Sequence, residues 1–154
     1  MGKIVAISVS KKKGIPKTNV SSAQLIEDFG IEGDIHAGKW HRQISLLAME
    51  SIEKMKIGSL KNLRPGAFAE NLTTEFINLP AIAVGTKIKI GSEAELEITQ
   101  IGKECHDKCA IFFKVGDCVM PKEGVFAKVI KGGTIVPGDS IVVHAFPSEQ
   151  ITAA

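Results

Sequence analysis

The chain has 154 residues and a mass of 16.5 kDa, and its 19 basic and 17 acidic side chains leave a formal net charge of only +2. This length fits one domain, residues 1–154, that buries about two-thirds of its unfolded surface. The balanced charge disfavours nucleic acid as a partner, and 44% hydrophobic residues exclude a disordered chain. No apolar run approaches the ~20 residues of a membrane-spanning helix, so we expect no membrane partner.

The first predicted element is a buried strand over residues 4–9. Lysines at positions 11–13 end this apolar stretch too early for an export signal. Three cysteines without such a signal are typical of a reducing compartment, where thiols stay free. We therefore expect a cytoplasmic protein.

Apolar residues at helical spacing occur only in short stretches of the chain. Leu47, Ile52 and Met55 share a face, which predicts a helix over 46–56.

Apolar residues alternate with Lys and Glu on both sides of a Gly-Ser turn, which predicts a hairpin over 87–101.

The last third of the chain is less regular. A short helix is predicted over 109–114, residues 124–131 suit either a helix or a strand, and a last strand is predicted over 140–144 after Pro137 and Gly138. Fifteen glycines, mostly isolated between short apolar runs, complete a pattern typical of one β-barrel.

The leading candidate for chemistry is Cys105, in a polar segment just after the predicted hairpin. Lys103, His106 and Lys108 surround it with potential positive charge, which favours the thiolate, the form that acts as a nucleophile and as a soft metal ligand. Free cysteines are commonly small buried apolar residues, and Cys109 and Cys118 keep that interpretation.

A metal site is an alternative, because four soft ligands lie in this part of the chain: Cys105, His106, Cys109 and Cys118. Their spacing lacks the paired C-x-x-C of most structural zinc sites. A redox dithiol of Cys105 and Cys109 is a further, equally unsupported alternative.

Two more polar segments are candidate binding loops. Residues 30–43 combine three glycines, whose backbone amides could approach an anion, with Lys39, His41 and Arg42, which could complement phosphate. The alternative is a solvated loop in which Asp34 caps a turn. Residues 65–74 could supply amide and carboxylate contacts to a ligand. No phosphate-binding P-loop, dinucleotide-binding, zinc-protease or serine-hydrolase motif occurs.

Three segments in this order resemble the MOSC family, the carboxy-terminal domain of molybdenum cofactor sulfurase. They are 30–36, 68–73 and 96–100, the last leading to Cys105, and the likeness extends from about residue 5 to 143. The resemblance implies a mostly β fold, a closed antiparallel β-barrel with a few short helices. It also implies a role in handling the molybdenum cofactor (molybdopterin) or its sulfur.

In such proteins the cysteine after the Thr-Gln strand is reactive, and here that position is Cys105. The resemblance implies that it ligates molybdenum or carries persulfide sulfur. Anionic groups would be contacted by Lys39, His41, Arg42 and Lys103, hydrogen bonds would come from Glu70, Asn71 and Thr73, and Asp34 and His36 would bind the cofactor or orient their loop. The family often has an arginine after Thr-Gln, where this chain has Ile101 and Gly102, so Lys103 would act as a point cation.

Nothing in the chain resembles the pyridoxal-phosphate desulfurase domain of full sulfurases. The resemblance therefore implies a separate sulfur donor, such as a cysteine desulfurase, and a client molybdoenzyme as partners. Two alternatives stay open: a molybdenum cofactor-dependent reductase of N-hydroxylated compounds, and a non-catalytic Cys/His metal-binding barrel.

Overall fold

Short β-strands dominate this computed structural model, which describes residues 2–12, 15, 17–54, 63–102 and 123–144. In chain order the elements are β1 (Gly2–Val9), β2 (Thr18–Val20), β3 (Ala23–Ile26), β4 (Gly30–Ile31), β5 (Ile44–Ala48), α1 (Met49–Lys54), β6 (Leu72–Glu75), a 3₁₀ turn (Leu79–Ala81), β7 (Lys87–Ile90), β8 (Ala94–Ile101), β9 (Val125–Lys131), β10 (Gly133–Ile135) and β11 (Ser140–Val143). Within these ranges no helix has the length and apolar character needed to cross a bilayer.

Seven strands close into a barrel in the order β11-β7-β8-β9-β5-β6-β1, because β11 also pairs with β1. Strand β2 adds to β1 outside the ring, and β10, β3 and β4 form a separate small sheet. The predicted closed β-barrel is confirmed. One pair in the ring, β5 and β6, is parallel, and such a pair needs a crossover connection, which here includes α1.

The predicted hairpin is present as β7 and β8. Its register sets Lys87 opposite Glu97 and Lys89 opposite Glu95, so opposite charges face each other on the outer side. The turn between the strands contains Gly91 at φ +63°, a left-handed conformation that favours glycine. Local alternation and turn chemistry agree here, which is why this element was predictable.

The predicted helix over 46–56 is wrong at its start, since α1 begins at Met49 and Leu47 belongs to β5. All five residues of β5 are buried. A strand that is buried on both faces loses its alternation, and its apolar residues then imitate helical spacing. The undecided segment 124–131 forms β9, whereas the short helix predicted over 109–114 lies outside the described residues.

The apolar core has two parts. The larger cluster fills the barrel and includes Ile4, Leu46 and Ile98, all fully buried. The smaller one packs on the outer surface of β5 and β9 and consists of Leu47, Ile52, Ala67, Phe68 and Phe126. This second cluster explains why β5 is buried on both faces.

Two neighbouring buried threonines of β6 differ in whether the side-chain hydroxyl has a hydrogen-bond partner. Thr74 is buried in register with Ile4 and Ala48, and its hydroxyl has no hydrogen-bond partner among the described residues. Thr73 is equally buried, but its hydroxyl donates to the Glu70 carboxylate at 2.7 Å. We expect Thr74→Val to raise the free energy of unfolding by about 1 kcal/mol, and Thr73→Val to lower it by about 1–3 kcal/mol.

Urea unfolding of both variants measures these changes. Because the two substitutions remove the same atom from adjacent residues, equal destabilisation by both would contradict the assignment of a partnered and an unpartnered hydroxyl.

Candidate functional site

Buried polar side chains collect where β1 ends and where β5 and β6 begin. None of them is more than 9% exposed, and they are Ser8, Ser10, Lys17, Asp34, Gln43, Ser45, Glu70, Asn71 and Thr73. Buried polar groups are stable only when they are hydrogen-bonded, so their partners decide what this region can do.

The centre of this network is an ion pair between Lys17 and Asp34. Lys17 Nζ lies 2.7 Å from Asp34 Oδ1, and both side chains are fully buried. Lys17 Nζ also lies 3.2 Å from Ser10 Oγ and 3.0 Å from His36 Nδ1. An ammonium group can only donate, so this ring nitrogen of His36 is the acceptor. The two oxygens of Asp34 further accept the backbone N–H groups of Ser10 and His36.

The environment shifts the pKa values of both Lys17 and Asp34. Burial disfavours a charge on Lys17 and lowers its pKa, although the nearby carboxylates of Asp34 and Glu70 favour the ammonium. Burial also opposes ionisation of Asp34, but the hydrogen bond and charge of Lys17, with the N–H of Ser10, outweigh it and hold the pKa of that carboxyl below its usual range.

Glu70 organises the loop that precedes β6. Its carboxylate accepts the N–H groups of Gly66 and Phe68 at 2.8 and 3.2 Å and the hydroxyl of Thr73. Burial raises the pKa of Glu70 against these donors. Gly66 has φ +95°, and a Cβ there would lie 2.6 Å from the backbone oxygen of Lys17, so only glycine fits this contact. The loop is thereby pressed against the backbone that carries the buried lysine.

Asn71 connects three strands of the barrel. Its Oδ1 accepts the N–H and the hydroxyl of Ser45 at 3.0 and 3.2 Å, and its Nδ2 donates to the carbonyl of Ser8 at 3.1 Å. Ser45 belongs to β5 and Ser8 to β1, and Asn71 directly precedes β6. The Asn71 amide therefore holds the start of β6 against both strands.

A second cluster lies on the outer side of the barrel around Gln100. Its Oε1 accepts from Arg42 Nε and lies 3.0 Å from His41 Nε2, and its Nε2 donates to the carbonyl of Gly102 at 2.7 Å. The Arg42 guanidinium sits over the Phe126 ring, 5.2 Å from its centroid. In the part of the chain that the structure describes, its two terminal amino groups have no hydrogen-bond partner.

The segment between the two clusters is held by Trp40. Its indole N–H donates to the carbonyl of His36 at 2.8 Å, and its ring meets His41 edge to face at 5.7 Å between centroids. Lys39 is exposed beside it. The loop therefore offers two cations, Lys39 and Arg42, and the imidazole of His41 on a backbone anchored by the Asp34 network.

The structure divides the predicted site residues into two groups. The buried group is already bonded within the protein and comprises Asp34, Glu70, Asn71 and Thr73. The accessible group comprises the exposed Lys39 and His41 and the half-buried Arg42, and His36, which is also half-buried, is bonded to the buried group. Asp34 accepts the N–H of His36, a turn contact of the kind the sequence suggested for it.

Cys105 and Lys103 lie outside the described residues, as do the other alternative metal ligands, His106, Cys109 and Cys118. The described chain stops at Gly102 and resumes at Glu123, and the N–H of Gly102 donates to the carbonyl of Gly124 at 2.6 Å. Among the residues that are described, no group of three or more His, Cys, Asp or Glu side chains could hold a metal ion.

Sequence reasoning missed Lys17 and Ser10, which complete the buried ion pair. Lys17 follows a run of three lysines at 11–13, a pattern typical of a solvated surface, and no local signal separates it from them. In the sequence Gln100 stands out only as the last residue of the segment 96–100. Its pairing with Arg42 spans 58 positions and depends on β9 pairing with both β8 and β5, a strand order that the sequence does not show.

Comparison with known proteins agrees with this architecture. A family model described as the MOSC domain matches residues 32–142. The chain is similar in structure to the YuaD protein of Bacillus subtilis, with 19% identity, 95% of this chain and 97% of that chain covered, and a TM-score of 0.73.

Two further solved structures are similar. YiiM from Geobacillus stearothermophilus has 24% identity over 94% of this chain and 76% of its own, with a TM-score of 0.72. YiiM from Escherichia coli has 18% identity over 94% of this chain and 70% of its own, with a TM-score of 0.66. These similarities show the fold. No curated protein sequence matches the chain significantly.

The buried pair makes a testable prediction about stability. Asp34→Asn leaves the Lys17 ammonium buried without its charge partner, so we expect it to lower the free energy of unfolding by about 3–5 kcal/mol at pH 7. Lys17→Met combined with Asp34→Asn removes both charges and should cost less than the sum of the two single changes. The exposed Lys39→Met is the control and should change stability by less than about 0.5 kcal/mol.

The effect of Asp34→Asn on the free energy of unfolding should depend on pH. The pKa of Asp34 is lower in the folded than in the unfolded state, so its contribution is complete above its unfolded pKa and disappears as the pH falls through its folded pKa. The stability gap between wild type and Asp34→Asn should therefore narrow on acidification below about pH 4. Urea unfolding at several pH values measures it, and a constant gap would contradict the ion pair.

Proposed function

Because this chain belongs to the MOSC domain family, a family associated with the molybdenum cofactor, we propose that it binds that cofactor and uses Cys105 to ligate molybdenum or to relay persulfide sulfur to molybdoenzymes. The cofactor has an anionic phosphate tail and a dithiolene-bound metal. A protein that holds it needs cations for the tail and a soft sulfur ligand for the metal.

The observation that carries the proposal is the arrangement of Arg42 and His41 around Gln100. Gln100 Oε1 accepts from Nε of Arg42, and no other residue in the described part of the chain bonds the two terminal amino groups of the guanidinium, its fork. A guanidinium fork suits the bidentate geometry of a phosphate. The Phe126 ring beneath the Arg42 guanidinium restricts the motion of that guanidinium. The donor set therefore fits an anionic tail.

The position of this cluster links it to the proposed sulfur. Gln100 lies near the end of β8, and Cys105 follows five residues later in the chain. An extended chain advances at most about 3.6 Å per residue, so the thiol is tied covalently to the neighbourhood of the cations. Positive charge nearby favours the thiolate, which is the form required of a metal ligand or nucleophile.

The residues take distinct roles in this proposal. Lys39, His41, Arg42 and Lys103 contact anionic groups of the cofactor. The buried residues Asp34, Glu70, Asn71 and Thr73 act by holding the two loops, and His36 joins the loop network to the exposed surface. When bound, the cofactor supplies the molybdenum centre that Cys105 ligates.

The sulfur relay needs no external oxidant. The Cys105 thiolate attacks the terminal sulfur of a persulfide on a donor protein, the S–S bond of the donor breaks, and the donor leaves as a thiolate. A new S–S bond forms on Cys105, so oxidation states are exchanged between the two proteins without net redox change. A cytoplasmic cysteine desulfurase, which itself carries pyridoxal phosphate, is a donor of this chemistry, and the client is an apo-molybdoenzyme.

Replacement of the thiol tests the proposal. Cys105→Ser, expressed in a host that makes the cofactor, should lose molybdenum as measured by elemental analysis, or lose persulfide labelling after incubation with a cysteine desulfurase and cysteine. Cys109→Ser is the matched control and should keep both. Wild-type levels of molybdenum and of persulfide in Cys105→Ser would refute the assignment, and zinc or iron in the wild type would favour the metal-binding alternative.

The cluster of His41, Arg42 and Gln100, called the cation cluster below, has its own test. Arg42→Met keeps most of the apolar stem over Phe126 and removes the fork, so we expect about tenfold less bound molybdenum cofactor at a fixed cofactor supply. Arg42→Lys should restore only part of it, because a lysine is a point charge. Lys131→Met, an exposed change at the end of β9, is the control. Equal cofactor content in Arg42→Met and Lys131→Met would exclude Arg42 from the anion contact.

A further inference from the structure

A separate cleft lies at the carboxyl ends of β5 and β6, whereas the buried polar network lies at the amino ends of the same strands. Its volume is about 710 Å³, and its lining includes Ala48, Glu50, Ser51, Phe76, Ile77, Asn78, Leu79, Pro80 and Glu123. This volume is in the range of small-molecule sites, which are mostly apolar with a few polar groups. None of these residues takes part in the cation cluster or the Asp34 network.

Phe76 shows that the rim of the cleft is unusual. Its φ is +64°, a conformation that a bulky side chain rarely adopts, and 70% of its surface is exposed. Its backbone N–H donates to Glu50 Oε2 at 3.0 Å, which fixes the turn. A large ring held beside an apolar cleft, at a cost in both strain and hydration, becomes favourable when a ligand covers it.

The charged side chains among the described residues that line the cleft are the carboxylates of Glu50 and Glu123. Glu50 uses one carboxylate oxygen for the Phe76 N–H, and it has no cationic partner in the described ranges. Glu123 accepts the hydroxyl of the buried Ser51 at 2.5 Å and brings a second carboxylate to the same wall. Charge complementarity therefore selects against anions. A neutral ligand would desolvate Glu50 without compensation, whereas a cation would pair with it.

We propose that this cleft is a second binding site, for a small amphipathic cation. The apolar body of the ligand lies against Phe76 and Pro80, and its ammonium or amidinium group faces Glu50. The inference is independent of molybdenum cofactor binding, because it rests on a different end of the barrel and on residues of opposite charge.

Three matched probes test the proposal on the full chain: tryptamine, which is cationic at pH 7, tryptophol, which is neutral, and indole-3-propionate, which is anionic. Titration of ¹⁵N-labelled protein should give saturable amide shifts with tryptamine at residues 50–51 and 76–79. Tryptophol should bind about tenfold more weakly and indole-3-propionate should give no saturable shift. Equal affinity for all three probes, or tryptamine shifts confined to other residues, would overturn the proposal.

Variants separate the charge from the apolar wall. Glu50→Gln retains an oxygen to accept the Phe76 N–H but loses the charge, so tryptamine affinity should fall about tenfold while tryptophol affinity stays unchanged. Glu93→Gln, the same change at an exposed position in the β7–β8 turn, should alter neither. If Glu50→Gln leaves tryptamine binding intact, Glu50 is not the cation partner and the inference is wrong.

Phe76→Gly distinguishes a binding role from a structural one. Glycine adopts φ +64° without strain, so the unfolding midpoint should be unchanged or higher, while tryptamine and tryptophol should both bind at least fivefold more weakly. Unchanged affinity for both probes would show that the exposed ring does not contact a ligand.

Discussion

The polar end of this barrel depends on burying one lysine beside one aspartate. Removing both charges from water is costly, and their mutual attraction offsets that cost only if their remaining donors and acceptors are satisfied. Ser10 and His36 supply those partners, and both depend on the course of the loops after β1 and β4. The pair therefore makes the two loops adopt one arrangement together, which is a stronger constraint than either loop has locally.

Glu70 and Asn71 extend that constraint to the third loop. Glu70 closes the turn that carries Gly66, and the carbonyl of Gly66 accepts the N–H of Lys17 at 2.8 Å. Asn71 ties the same loop to Ser45 at the start of β5. Substitutions in this network act on several loops at once, so their effects reach Lys39, His41 and Arg42 through the backbone. Polar residues that look like ligand contacts in the sequence serve here as supports for the residues that remain exposed.

The sequence predicts those parts of the fold whose information is local. The β7–β8 hairpin has alternation, opposed charges and a glycine in its turn, so its bounds agree with the structure to within a residue or two. The region 46–56 was misread because Leu47 packs under Phe68 and Phe126, residues far away in the chain that give β5 a second buried face. Lys17 shows the same limit, since only its distant partners Asp34 and His36 distinguish it from the surface lysines before it.

The contact between Arg42 and Gln100 shows how strand order can bring together residues that the local sequence keeps apart. A family arginine expected after Thr-Gln is replaced here by Ile101 and Gly102, neither of which can contact an anion with its side chain. Arg42, from the loop before β5, reaches Gln100 instead and presents its fork beside that position. A lysine side chain is a point charge without a fork, whereas the Arg42 guanidinium is oriented by Gln100 and by the ring of Phe126. The guanidinium beside Gln100 therefore belongs to a residue that comes 58 positions earlier in the chain.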